Sequence, residues 1–241
     1  MSLPTVFDTC EPREDVLKGT IADADFAADL AKVIRGIASD DYQKPDRFFS
    51  NTYPTEGLKN LLRNVLARLT GEGSAAAAIF RLDTSYGGGK THALIALTHA
   101  ANGMKGVANV AEFLDPKLVP SVKIRIAAFD GENADPANGR SMGDGVLAHT
   151  PWGELAYSLA GKAGYDRVRK SDESHTAPGA ETLAELFGGE PALILLDELS
   201  IYLRKIRNLQ ATGAGEQLSA FLTQQFSLWS FCYPGGVWGN S

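Results

Sequence analysis

Across residues 55–70, Leu58, Leu61, Leu62, Val65, Leu66 and Leu69 fall at the i, i+3, i+4, i+7, i+8, i+11 spacing of one helical face, and Lys59, Arg63 and Arg68 occupy the other. The pattern predicts an amphipathic helix stopped by Gly71 and Gly73. A looser stripe of Phe26, Leu30, Val33, Ile34 and Ile37 predicts another over 23–38, with Asp23 as its N-cap. The stretch between them, 46–55, reads as a turn-rich connection whose Phe48, Phe49 and Tyr53 dock on the core, with a role in gripping a base as the alternative.

From residue 75 the pattern changes character. Residues 75–82 form a short apolar run bounded by Gly73 and by the glycines that follow Ser85, as a strand buried on both faces would. A helix over 90–101 follows, ended by Asn102 and Gly103, then a short helix near 107–113 and a second strand over 122–129. Residues 130–150, with Gly131, Pro136, Gly139, Gly143 and Gly145, read as a loop at the end of that strand, where ligands approach α/β sheets. Trp152, Leu155, Ala156 and Leu159 mark a helix. The polar stretch 161–179 then carries Lys162, Arg167, Arg169 and Lys170 on a solvated face. Leu183, Leu186 and Phe187 make a short helix before a third strand over 192–196, and helices over 199–206 and 217–229 end the pattern. Strand, helix, strand is the order of a parallel α/β sheet.

Composition changes this picture little. The chain has 241 residues, 44% hydrophobic and 22% charged, which excludes disordered and fibrous classes. Lys plus Arg number 23 against 29 for Asp plus Glu, so the net charge of −6 does not advertise nucleic acid as the main ligand. Cys10 and Cys232 lack ligand spacing, and no apolar run reaches the ~18 residues of a membrane helix. The expectation is a soluble, cytoplasmic protein with no membrane partner.

The run Thr84, Ser85, Tyr86, Gly87, Gly88, Gly89, Lys90, Thr91 follows the phosphate-binding loop pattern, Gly, four residues, Gly, Lys, Ser or Thr, with one departure. In a strand-loop-helix context, such glycines let successive backbone N–H groups converge on phosphate oxygens at the positive end of the helix. Ser85, Tyr86, Gly87, Gly88, Gly89, Lys90, Thr91 and His92 are therefore the candidate ATP-binding residues. Lys90 reaches the β and γ phosphates, and the Thr91 hydroxyl ligates Mg²⁺. The departure is Thr84, a β-branched residue that resists positive φ where the first glycine is expected.

Four apolar residues, Leu193, Ile194, Leu195 and Leu196, lead into Asp197 and Glu198, which resembles a Walker B element. Asp197 holds Mg²⁺, usually through a water, and Glu198 orients and deprotonates the attacking water. A hydrolase needs that base and a kinase must exclude water, so the pair favours ATP hydrolysis, and no Asn-Lys-x-Asp string points to GTP. The alternative is a nucleotide-gated binding or scaffold protein with negligible turnover. A third reading, a P-loop GTPase or kinase, requires the acidic strand to pair directly with the strand before the glycines. Asp130, Glu132 and Asn133 read as a polar loop, with a metal-water or partner contact as the alternative, His92 and His99 as packed or solvated rather than metal-bound, and Arg204, Lys205 and Arg207 as a solvated helix face, with a charge sensor or subunit contact as the alternative.

Residues 12–17 and 27–30, the strings Ser50-Asn51-Thr52-Tyr53-Pro54-Thr55-Glu56-Gly57-Leu58 and Trp152-Gly153-Glu154-Leu155-Ala156-Tyr157, the glycine run, and Leu196-Asp197-Glu198-Leu199 together resemble a prokaryotic family over roughly residues 10–225. It comprises the large predicted ATPases designated domain of unknown function four hundred and ninety-nine. The resemblance implies an AAA+-like ATPase encoded beside DNA methylases and helicases in restriction or anti-phage islands. Such a protein acts as a homo-oligomer or in a larger multi-protein complex, with any contact to DNA indirect. The expected architecture is a three-layer P-loop NTPase sandwich with a mostly parallel sheet: a helical region over 1–72, the ATPase core over 73–230 and a tail over 231–241. By the same resemblance a sensor strand lies between the first and third strands. The only later strand-like residues, Gly236 to Gly239, are fewer than the ~5 of a typical strand, so the core is expected to be incomplete and its autonomous hydrolysis impaired.

Overall fold

The structure is a computed structural model that describes residues 5–12, 14–19, 28–72, 77–82, 88–207 and 216–222. Two short helices, α1 (Val6–Thr9) and α2 (Glu14–Lys18), precede the packed part of the chain. Helix α3 (Leu30–Arg35) starts where the Asp29 carboxylate accepts a hydrogen bond from Lys32 N at 2.9 Å and stops at Gly36, φ 74°. The stripe over 23–38 therefore overran both caps, and Asp23 lies outside the described residues. Helix α4 (Asp40–Gln43) falls in a stretch the pattern left unassigned, and α5 (Pro45–Ser50) occupies part of what it assigned to turns. Pro45 at the first helical position was the missed signal. Phe48 and Phe49 are buried as expected, but Tyr53 is 81% exposed and does not dock.

Helix α6 (Glu56–Thr70) matches its pattern, capped by the Thr55 hydroxyl at Leu58 N and by left-handed Gly71. Helix α7 (Lys90–Ala101) and the short α8 (Val110–Phe113) follow. Next come β1 (Arg125–Asp130), a hairpin of β2 (Arg140–Gly143) and β3 (Val146–Ala148), α9 (Pro151–Glu173), α10 (Ala180–Phe187), β4 (Ala192–Asp197) and α11 (Leu199–Arg207). Residues 216–222 are also helical. The hairpin was read as loop, although its Asp144-Gly145 turn carries a hairpin signal.

Strands β1 and β4 pair in parallel, in register from Arg125 opposite Ala192 to Asp130 opposite Asp197. Their side chains alternate between two cores. Leu193 and Leu195 join α3, α5, α6 and α7 on one face, whereas Ala127, Phe129 and the partly buried Ile194 and Leu196 join α9, α10 and α11 on the other. This is a mixed α/β chain with helices on both faces of a small parallel sheet.

The expected P-loop sandwich is not formed by the described residues, which contain only this pair and the antiparallel hairpin. Residues 77–82 carry no strand. They line one wall of a cavity of about 680 Å³ whose other wall includes residues of β4, and the two share no ladder among the described residues.

Helix α9 is a helical hairpin rather than one rod. A straight helix would separate Thr150 from Asp172 by ~33 Å, yet Thr150 N donates to Asp172 at 2.9 Å. The reversal falls at Ala160 (φ −143°, ψ 22°) and Gly161 (φ 61°, ψ −152°), the latter a conformation nearly closed to other residues. Lys162, Arg167, Arg169 and Lys170 lie exposed on its second half, and the first three face Asp166 or Glu185, as a solvated face would.

Candidate functional site

The carboxyl ends of β1 and β4 bring Asp130 and Asp197 side by side. Helix α7 packs over this end and inserts Thr91, whose hydroxyl donates to Asp197 Oδ2 at 2.8 Å. The same carboxylate accepts Glu198 N at Oδ1, 3.1 Å away. Gly89, left-handed at φ 75°, turns the chain into α7, and no side chain caps that helix start. Lys90 and Glu198 both line the cavity beside β4. Glu198 itself is held at φ 48°, a left-handed backbone that glutamate rarely adopts.

The hydroxyl and carboxylate oxygens suit Mg²⁺, a hard cation whose neighbouring octahedral ligands stand about 2.9 Å apart and which borrows further oxygens from phosphate and water. Among the described residues no group of three His, Cys, Asp or Glu could hold a metal by itself.

The loop after β1 lies against Glu198 and α11. Asp130 is committed to it, accepting from Glu132 N at 2.9 Å and Asn133 Nδ2 at 2.5 Å. Gly131 passes so close to Glu198 that a Cβ there would lie 2.3 Å from the Glu198 carbonyl oxygen. Lys205, read as part of a solvated face, instead donates to the carbonyls of Gly131, Glu132 and Ala134, tying α11 to the loop. Nothing in local spacing signalled this contact across 71–74 residues.

On the flank of α7, His92 Nε2 lies 2.9 Å from the Thr52 hydroxyl. That hydroxyl gives its only proton to Phe48 O, 2.6 Å away, so His92 Nε2 must be the donor. Burial lowers the pKa of His92, and the ring, stacked on Phe48 at 4.4 Å, serves as a neutral strut. His99 makes the equivalent bond to Tyr42 O at 2.8 Å, and burial lowers its pKa too.

A second polar centre escaped the sequence reading. Glu154, 3% exposed, pairs with Arg140 at 2.9 Å, and fully buried Asp172 accepts from the backbone N–H groups of His149 and Thr150 and from the Thr150 hydroxyl. The Trp152–Tyr157 string serves this centre. Gly153 leaves room for Asp172, whose Oδ1 would sit 2.2 Å from a Cβ, Glu154 meets Arg140, and Tyr157 donates to Asp144 at 2.9 Å.

Burial raises the Glu154 carboxyl from 4.5 to about 7, with Arg140 pulling it down and Asp130 and Asp172 adding to the rise. Its folded pKa lies above its unfolded one, so the neutral acid stabilises the fold below pH 4.5 and that contribution is lost as pH climbs to about 7. Glu154→Gln is accordingly expected to melt like wild type near pH 4.5 and to gain up to about 3 kcal/mol over it by pH 8. Melting curves across that range check this, and identical pH profiles for the two proteins would contradict it.

Of the sequence candidates, Gly88, Gly89, Lys90, Thr91, His92, Asp197 and Glu198 are described, and Thr91 touches Asp197 directly. Ser85, Tyr86 and Gly87, like Thr84, lie outside the described residues. Among those described, no helix is long and apolar enough to cross a membrane. No curated protein and no solved structure matches the chain. The family described as DUF499 N-terminal domain matches residues 6–227, nearly the whole length, and the chain belongs to that family.

Proposed function

We propose that the chain is an ATP-binding and ATP-hydrolysing module of a larger prokaryotic assembly. One observation carries the reading: the Thr91 hydroxyl donates to Asp197 at 2.8 Å, so a glycine-rich helix entry and an acidic pair 106 residues onward share one crevice at the carboxyl ends of parallel strands. In this reading Ser85, Tyr86, Gly87, Gly88 and Gly89 and the first-turn amides of α7 cradle the phosphates, and Lys90 lends a point charge to the β and γ groups. Thr91 and Asp197 hold Mg²⁺, which neutralises charge on the phosphates when bound. Glu198 orients the attacking water and takes its proton.

Strand β4 pairs with β1 and not with residues 77–82. Residues 77–82 carry no strand, so this pairing does not separate the readings, and the ATPase is preferred over a GTPase or kinase on the Asp197-Glu198 pair alone.

The other edge of β4 has no strand partner among the described residues and adjoins the cavity. This favours completion by another segment or subunit and, as the second reading, a nucleotide-gated scaffold that turns over little alone. A homo-oligomeric or multi-protein setting in restriction or phage defence, with DNA reached indirectly, follows from the family resemblance.

A melting titration with Mg-ATP tests the site itself. At about a hundred times its dissociation constant the nucleotide should add ~2.7 kcal/mol to wild type and nothing to Lys90→Ala. No shift in wild type, or an equal shift in the variant, removes the glycine run from the account.

A further inference from the structure

Within the string 50–58, Thr52 bonds His92 and Phe48, Thr55 caps α6, and Leu58 packs against the core. Tyr53 has no such task. It is 81% exposed, and no side-chain hydrogen bond or ring contact engages it among the described residues. Yet its backbone is held: Thr55 N donates to Tyr53 O at 2.9 Å, Pro54 restricts the next φ, and Thr52 on the other side is bonded to α7. An aromatic ring is thus displayed in water from a rigid support.

That support adjoins the first turn of α7 through the Thr52–His92 bond. His92 follows Lys90 by two residues, ~3 Å along the α7 axis, and sits about 100° round the helix from Thr91. A triphosphate whose γ end faces Asp197 and Glu198 leads its sugar and base away from β4, along a flank of the first turn of α7. On one such flank His92 meets the 52–55 loop. We propose that Tyr53 is the platform on which the nucleobase stacks, kept in step with the phosphate site by the Thr52–His92 bond. The proposal deepens the ATP-binding reading and rests on it. An aromatic face accepts any base through its π surface, so Tyr53 supplies affinity for the nucleoside end rather than for phosphate.

The test measures dissociation constants of Mg-ATP and of Mg-tripolyphosphate, which has the phosphates without a base, on the full chain. In Tyr53→Ala the constant for ATP should rise about ten- to a hundredfold while that for tripolyphosphate stays unchanged, and Tyr53→Phe should bind ATP like wild type. Lys90→Ala should lose both ligands. Unchanged ATP affinity in Tyr53→Ala, with loss in Lys90→Ala, overturns the platform and leaves the phosphate site intact. Equal weakening of both ligands in Tyr53→Ala also overturns it, because the loop would then act on the phosphate site alone. Absence of ATP binding in wild type overturns both proposals.

Discussion

Glu198→Gln is expected to lower phosphate release by about a hundredfold to ten-thousandfold, the usual contribution of a general base, while the Mg-ATP melting shift persists. The substitution isolates chemistry from structure. The glutamate sits at φ 48°, its N–H bonded to the Asp197 carboxylate and its carbonyl pressed against Gly131. All three constraints act on the backbone, so glutamine inherits them along with the backbone cost, and the amide differs mainly in being unable to take a proton. Steady-state phosphate release, measured alongside melting in Mg-ATP, reads both quantities. Equal release by the two proteins would reject Glu198 as the base and leave the scaffold reading standing. Loss of the melting shift together with release would mean that Glu198 supports binding rather than the hydrolytic step.

The parts of the fold that the sequence made legible are those decided within a few residues. Helix α6 is bounded by Thr55 and Gly71, and α7 by a glycine turn and Asn102, so stripe and caps agree locally. The pairing of Thr91 with Asp197 was foreseeable because each belongs to a motif whose partner is known by type. Residues 77–82 were misread because a strand is defined by its neighbour, and an apolar run says nothing about whether the neighbour is present. Lys205 looked like one cation among three on a helix, and its contacts with a loop more than 70 residues earlier exist only after β1 and β4 pair. The polar centre around Asp172 was hidden for the same reason. Its donors at positions 149 and 150 meet the carboxylate only because the chain reverses at Gly161, and Tyr165 joins them from two turns earlier on the arm that carries Asp172.

That reversal makes Asp172 the position where a single change should cost the fold most. Its carboxylate accepts from His149 N at 3.0 Å and Thr150 N at 2.9 Å, and also from the Thr150 hydroxyl, which in turn accepts Gly153 N as the cap of α9. The Tyr165 hydroxyl stands 3.0 Å from both Asp172 Oδ2 and Leu147 O, and its one proton serves either. Burial first, then the Asp172 charge, pushes the Tyr165 phenol up to about 12, so it remains a donor at any ordinary pH. In Asp172→Ala up to four donors lose their acceptor in a region closed to water, and the two arms of the α9 hairpin lose their polar clasp. The expected cost is about 3–5 kcal/mol, which in a chain of this size lowers the melting temperature by roughly 6–20 °C. Asp172→Asn keeps the shape and one oxygen acceptor but turns an NH₂ toward N–H or O–H donors, so it should fall between Ala and wild type. Because α7 and Thr91 lie on the other side of the sheet, Mg-ATP should still raise the melting temperature of whatever fraction of Asp172→Ala folds. A melting temperature within about 2 °C of wild type would mean that the hairpin is held by its apolar contacts, Leu155, Leu159 and Val168 among them, and that the buried carboxylate is dispensable.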